Sequence, residues 1–378
     1  MNPLLQLAEC GQSYWMDNLS RKMLHDGELA RRIHEDGLRG VTSNPVILHR
    51  AITEGEEYRE PIQQLKRQDA PAAEIYRRLV VEDVRAACDL FRPVHEESDG
   101  VDGFVSLEVS PHLAHDAQGT IAEAERLYGE VDRPNLCVKI PATPAGVTAI
   151  EECLYRGLAV NVTLLFDVES YEAVAQAYLR ALERRRLEDR PIDRVRSVAS
   201  VFLSRIDVLV DRLLAHRTPM GGERYNGGPD PVALRGHAAI SVARSLHRVF
   251  HALFRGSRWQ ALASRGARVQ RPLWASTGVK NPAYRDTLYV DSLIAPRTVT
   301  TLPPATIDAF RDHGVVIPDT ASADPEGAER VLEELATLGI DTNAVAWQLL
   351  NEGIQKFIDP YDALMEHLAE ADAPAGAS

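Results

Sequence analysis

The sequence predicts an α/β protein, a (β/α)8 TIM barrel with additional N- and C-terminal helices. Three observations carry that expectation. Eight short apolar stretches alternate mostly with helical patterns along the 378 residues. Most of those stretches are near-continuous runs of apolar residues, the pattern of parallel strands covered on both faces. No strand is followed by a G-x-G-x-x-G turn, which disfavours the alternative of an open, doubly wound sheet.

In chain order, 1–12 reads as a short helix and 14–17 as a strand ending in a carboxylate. A helical pattern over 20–36 stops at Gly37, and 40–45 is a second strand ending at Pro45, which cannot donate to a ladder. Long helical patterns fill 56–92. The remaining strands are 102–109, 136–141, 159–166, 196–202, 272–276 and 298–302. Helices are expected between them at 117–130, 144–156, 168–187, 205–215 and 232–254. Helices at 304–313, 325–338 and 342–370 follow the last strand. Residues 1–370 read as a single barrel domain, with a Gly/Pro-rich insertion at 217–231 and a disordered tail at 371–378.

Composition narrows the function. A net charge of −13 argues against nucleic-acid partners and against an anionic membrane surface. No stretch approaches the ~18 consecutive apolar residues of a membrane span, and the start carries no signal-peptide pattern. The four cysteines, Cys10, Cys88, Cys137 and Cys153, show neither zinc spacing nor a disulfide framework. A cytoplasmic protein is expected, without a metal. Of the 42 basic residues only five are lysines: Lys22, Lys66, Lys139, Lys280 and Lys356. Where arginine has replaced most cations, a remaining lysine is enriched for amine chemistry. Lys22, Lys66 and Lys356 nevertheless read as solvated helix faces.

Lys139 differs, because it lies inside the apolar run L-C-V-K-I-P. Burial disfavours an ammonium, and a neutral amine on a rigid strand is a nucleophile suited to Schiff-base chemistry with a carbonyl. The competing reading is a lysine that snorkels to water. Period-two alternation places other polar residues on the same side as Lys139. Trp15 with Asp17, Thr42 with Asn44, Ser106 with Glu108, Asn161 with Thr163, Ser200, and Trp274 with Ser276 all fall near strand C-termini. Barrel enzymes keep their chemistry at that end. Glu108 is a candidate for proton movement, and Thr163 for orienting a water with it. Asp17 is a candidate acid/base group, or else an N-cap for the next helix. Asn44 and Asn161 suit sugar hydroxyls. Arg205, Ser276 and Lys280 form a candidate anion site after strands six and seven.

Six motifs in order then resemble the transaldolase family, in its longer bacterial form. They are G-V-T-S-N-P (40–45), V-S-L-E-V (105–109), V-K-I-P-A-T (138–143), N-V-T-L-L-F (161–166), S-V-A-S-V-F-L-S-R (197–205) and W-A-S-T-G-V-K-N-P (274–282). The resemblance implies a pentose phosphate pathway transferase that moves a dihydroxyacetone unit from sedoheptulose 7-phosphate to glyceraldehyde 3-phosphate. It implies Lys139 as the Schiff-base lysine, Asp17 as acid/base, and Glu108 with Thr163 as holders of a water. Thr42, Asn44, Asn161 and Ser200 become substrate-binding residues, and Arg205, Ser276 and Lys280 the phosphate site. The implied partners are sugar phosphates, with no organic cofactor, and the assembly a monomer or homodimer. The Gly/Pro-rich loop and the P-V-I-L that follows Asn44 depart from the family pattern. An aldolase that cleaves fructose 6-phosphate without an acceptor, and a non-catalytic sugar-phosphate-binding protein, are the alternatives.

Overall fold

A computed structural model of the chain describes residues 2–217 and 228–370. Eight parallel strands follow one another around a closed barrel, and the last pairs with the first. They are β1 (Gln12–Asp17), β2 (Gly40–Thr42), β3 (Phe104–Glu108), β4 (Leu136–Pro141), β5 (Val160–Leu165), β6 (Ser197–Phe202), β7 (Arg271–Ala275) and β8 (Thr298–Leu302). The helices of the first half are α1 (Pro3–Glu9), α2 (Arg21–His25), α3 (Glu28–Glu35), α4 (Pro45–Glu54), α5 (Arg59–Lys66), α6 (Ala72–Glu97), α7 (Ala117–Val131) and α8 (Pro144–Arg156). Those of the second half are α9 (Val168–Leu187), α10 (Leu203–Ala215), α11 (Ala238–Leu253), α12 (Ser257–Ala263), α13 (Leu288–Ser292), α14 (Pro304–His313), α15 (Pro325–Thr337) and α16 (Thr342–Ala369).

Several boundaries move for physical reasons. The pattern over 20–36 divides into α2 and α3 because Gly27 adopts a left-handed φ of 78°. The expected helix at 232–254 begins only at Ala238, after a series of turns. Helix α10 starts at Leu203 rather than Arg205, so Arg205 sits in its first turn. The short helices α12 and α13 were not expected, since their 7 and 5 residues are too few to show a periodic face. Residues 218–227 of the Gly/Pro-rich stretch, and the tail 371–378, lie outside the described residues.

Tight strand-to-helix connections set the upper rim. Asn44, Thr143 and Asp167 each cap the next helix through a side-chain oxygen. Proline occupies the first turn after Asn44 and after Thr143, where its missing N–H costs nothing. The strand ends therefore stay within a residue or two of a helix start, and the side chains there have little freedom.

Register decides which side chains meet inside. Residues paired across parallel strands share a face. One row runs Asp17, Thr42, Ser106, Cys137, and another runs Glu108, Lys139, Asn161, Val198. On β7 the expectation fails. Ser200 pairs with Leu273, so Leu273 faces the axis. Trp274 faces outward, its ring centroid 6.5 Å from that of His247 on α11. Ser276 lies just beyond β7 in a left-handed conformation, φ 53°.

The barrel interior below the mouth is aromatic. Trp15 and Phe104 are buried with ring centroids 6.4 Å apart. Gly40 makes room for them: a Cβ there would lie 2.7 Å from the Trp15 ring and 2.8 Å from the Phe104 carbonyl oxygen. We therefore expect Gly40→Ala to lower unfolding free energy by about 1–3 kcal/mol, the usual cost of overpacking, with the urea m-value retained in a denaturation series.

Candidate active site

The strand C-termini open into a cavity of about 850 Å3 lined by Asp17, Asn44, Arg205 and Lys280, among others. Lys139, near the C-terminal end of β4, is 3% exposed, so it does not snorkel to water. Its Nζ donates to the Ser43 carbonyl oxygen at 2.9 Å and lies 2.8 Å from Glu108 Oε1. The strand pairing Glu108↔Lys139 produces this ion pair directly. The contact is close but poorly aligned, and among the described residues no well-oriented hydrogen-bond donor reaches either carboxylate oxygen of Glu108. Burial pushes the Glu108 carboxyl up, with Lys139 opposing.

Thr163 Oγ1 is also buried without a partner among the described residues. Thr163, Glu108 and Lys139 line one small cavity of about 20 Å3. That is room for roughly one water molecule beside three polar groups. The neighbouring backbone is bulged: pairing with β6 slips between Val162 and Leu165, and Leu164 takes a φ of 61°. Such bulges re-aim side chains beside functional sites. Here Leu164 turns towards α16, where a Cβ on Gly353 would meet its Cδ2 at 2.9 Å. The bulge was not legible in the run N-V-T-L-L-F, which reads as an unbroken strand.

Asp17 does not cap the following helix; Ser20 does, through Met23 N. Asp17 instead accepts from Thr42 Oγ1 at 2.8 Å, and Thr42 Oγ1 is 2.9 Å from Thr301 Oγ1. Desolvation raises the Asp17 carboxyl, while Lys139, Thr42, Arg205 and Lys280 pull it down. Asn161 is held at both ends: its Nδ2 donates to Ser106 Oγ at 3.0 Å, and its Oδ1 accepts from Ser200 Oγ at 2.6 Å. Both partners are hydroxyls, which can donate or accept, so the amide is tethered at both ends. Asn44 spends its Oδ1 on capping Ile47 N at 3.0 Å, so its Nδ2 is the group left for a ligand.

The cationic wall is built by two segments. Arg205 is part-buried, its guanidinium 5.2 Å from the Phe202 ring centroid and 5.7 Å from that of Phe357 on α16. Its Nη1 is buried with no hydrogen-bond partner among the described residues, and desolvation lowers its pKa. Gly353 lets α16 approach, since a Cβ there would lie 3.2 Å from Nη1. Ser276 Oγ is 2.8 Å from Ser204 Oγ, joining the loop after β7 to α10. Lys280 is exposed at the rim of the same cavity. Lys22, exposed as expected, also lines it.

Thus Asp17, Asn44, Arg205 and Lys280 surround one mouth, while Lys139, Glu108 and Thr163 converge beneath it. Sequence reasoning placed Ser106 on the axis side without a role and missed Ser204, Thr301 and Phe357 as supports. Period-two reading of T-V-T-T on β8 would have revealed Thr301; nothing in the sequence places Phe357 beside Arg205. Among the described residues no group of His, Cys, Asp and Glu side chains is arranged to hold a metal ion. Nor is any helix long and apolar enough to cross a membrane.

The family model for transaldolase/fructose-6-phosphate aldolase matches residues 14–368, nearly the whole chain. The chain belongs to this family. It is 46% identical to a transaldolase of Thiobacillus denitrificans over 97% of this chain and 100% of that one. It is 47% identical to a transaldolase of Mycolicibacterium paratuberculosis over 97% and 96% of the two chains. A protein named transaldolase 2 from a Nostoc species is 44% identical over 97% of each.

The raised carboxyl of Asp17 has a consequence for stability. A folded-state pKa above the unfolded value means that the charged form is disfavoured in the fold. Wild type therefore loses stability as pH rises from the ordinary carboxylate range, near 4, through the raised value. Asp17→Asn removes that loss. The Tm difference, D17N minus wild type, is expected to be near zero at about pH 4 and positive at about pH 7.5 by differential scanning calorimetry; an equal difference at both pH values contradicts the assignment.

Proposed function

We propose that the protein is a transaldolase, which transfers a dihydroxyacetone unit from sedoheptulose 7-phosphate to glyceraldehyde 3-phosphate, giving erythrose 4-phosphate and fructose 6-phosphate. The observation that carries the reading is the buried Lys139 amine, 2.8 Å from Glu108, at the same strand ends as a cavity lined by Asp17, Arg205 and Lys280. Family membership and the transaldolase relatives support it.

In the proposed cycle, Arg205 and Lys280, with Ser276, take the substrate phosphate, matching its charge with two cations. Lys139 Nζ gives a proton to Glu108 and attacks the ketose C2 carbonyl. A burial-raised carboxyl beside the amine is a competent acceptor for that proton. The carbinolamine loses water to form the imine. Glu108 and Thr163 hold and orient the water that carries protons in this step. Asp17 accepts the C4 hydroxyl proton as the C3–C4 bond breaks, and the aldose phosphate leaves. The electron pair from that bond remains on the three-carbon unit as an enamine on Lys139. Asn161, Asn44, Thr42 and Ser200 present donors and acceptors to its hydroxyls. Carbon attack on the incoming aldehyde, protonation of the new alkoxide by Asp17, and hydrolysis of the imine release the product ketose. Protein donors held in place by second contacts, as Asn161 is by Ser106 and Ser200, need no reorganisation during reaction. We further expect the protein to work in the cytosol as a monomer or homodimer.

Borohydride reduction in the presence of fructose 6-phosphate is expected to label Lys139 and no other lysine, as read by peptide mapping, and Lys139→Ala to abolish both label and turnover. Turnover of fructose 6-phosphate should depend on an aldose phosphate acceptor; acceptor-independent release of free dihydroxyacetone would assign the aldolase activity instead. Arg205→Gln is expected to raise KM for fructose 6-phosphate by roughly 10-fold to 100-fold with a smaller change in kcat, in line with one lost charge-assisted contact. Because burial raises both Asp17 and Glu108, the acid limb of kcat/KM is expected above the ordinary carboxylate range near 4, and Asp17→Asn should remove that limb's contribution along with most of kcat.

A further inference from the structure

The opposite end of the barrel carries a second concavity that the proposed reaction leaves unused. A cavity of about 740 Å3 opens at the strand N-termini, with Gln12, Ser13, Phe104 and Cys137 among its lining residues. That volume is in the range of small-molecule sites. Five arginines line it, Arg39, Arg196, Arg268, Arg271 and Arg297, against two carboxylates, Glu97 and Asp102. So dense a cationic lining stands out on a chain of net charge −13.

Three of the arginines are committed. Arg271 pairs with Asp102 at 2.9 Å and donates to Ser13 Oγ. Arg196 donates to the Gly100 and Asp99 carbonyl oxygens, and Arg268 pairs with Asp99 at 2.6 Å. Arg39 and Arg297 are different. Among the described residues, neither guanidinium has a carboxylate partner or a hydrogen bond. Their backbones flank the start of β1: Arg39 N donates to Tyr14 O, and Arg297 N donates to Gly11 O. Two uncommitted guanidiniums are thereby carried on either side of the strand that contributes Gln12 and Ser13 to the cavity. Arg297 is held in the left-handed region at φ 61°, which L-residues rarely adopt. Its place is set by the backbone pairing and by Phe250, whose ring centroid lies 5.5 Å from its guanidinium. Buried Trp259 adds an apolar wall.

Guanidinium groups match phosphate oxygens in geometry as well as charge. We propose that this cavity is a second anion site, binding a small phosphorylated molecule through Arg39 and Arg297 at the end of the barrel away from Lys139. The Trp15–Phe104 layer lies between the two ends, so the site is not a subsite for the transferred sugar.

The test uses the full-length Arg205→Gln/Lys280→Gln protein, which lacks the two cations assigned to the substrate phosphate at the mouth. Calorimetric titration with pyrophosphate is expected to show saturable binding at one site. Adding Arg39→Gln and Arg297→Gln should weaken it by roughly fivefold or more, about 1 kcal/mol or more, and Arg39→Lys/Arg297→Lys in their place should retain most of it. A matched titration with adenosine 5′-monophosphate distinguishes a bare phosphate group from a phosphorylated organic molecule as the favoured ligand. The Arg39→Gln/Arg297→Gln protein with an intact mouth should keep wild-type Tm and turnover, which excludes misfolding as the cause. No saturable binding of either probe without Arg205 and Lys280, or a loss smaller than fivefold on removing Arg39 and Arg297, overturns the proposal. These outcomes do not depend on whether the mouth acts as a transaldolase.

Discussion

The Lys139–Glu108 pair is the constraint around which the upper half of the barrel is arranged. Two opposite charges 2.8 Å apart and almost wholly buried are costly to desolvate, and their mutual attraction repays that only with well-placed surroundings. Here the surroundings are the Ser43 carbonyl on one side and a cavity with room for one water on the other. The pairing is not an accident of side-chain reach. It follows from the β3–β4 register, in which the two Cα positions stand opposite each other. A one-residue slip of β3 would send Glu108 outward against the helices and leave Lys139 alone. The β4–β5 register in turn places Asn161 beside Lys139, so two adjacent strand alignments position the amine, the carboxylate and the amide together.

Above that floor, the mouth is completed by parts distant in sequence. Arg205 comes from the first turn of α10, yet its guanidinium is packed by Phe357 from α16, about 150 residues later. Gly353, one turn before Phe357, is what allows the helix to come that close. The bulge at Thr163–Leu164 serves the same junction, turning Leu164 towards α16 while Thr163 stays inside. The terminal helix is therefore part of the wall of the site and not an appendage. On the near side, the Arg21–Asp83 pair and Tyr58, which donates to Asp83 at 2.7 Å, tie α2 to α6 beneath the rim where Lys22 stands.

The two ends of the barrel are chemically distinct. The mouth mixes acids, amides and cations around an amine, a combination suited to moving protons and carbon. The opposite end concentrates arginines with little acid and no nucleophile among the lining residues beyond buried Cys137 and serine hydroxyls. Burial raises the Cys137 thiol beyond the range in which a thiolate forms at neutral pH. That end is suited to binding, not to chemistry.

Much of this was legible in the chain itself. Eight apolar stretches separated by helical periodicity specify a closed parallel barrel, because parallel strands need crossover helices and cover on both faces. Period-two alternation on β1 to β6 put Asp17, Thr42, Glu108, Lys139, Asn161, Thr163 and Ser200 on the axis side, since a strand's faces alternate whatever its neighbours are. It failed at β7, where the side facing inward depends on which β6 residue is opposite, and Leu273 rather than Trp274 is opposite Ser200. Ser276 lies past the end of β7 in a left-handed conformation, where strand periodicity no longer applies. Helical periodicity likewise marked 342–370 as helical, but only packing could bring Phe357 to Arg205 and Gly353 to Leu164. The sequence by itself determined the local faces and the chemical groups they carry, because those obey short-range backbone geometry. Distances between groups far apart in the chain, down to the 2.8 Å between Lys139 and Glu108, were decided by strand register and helix docking, which no local pattern encodes.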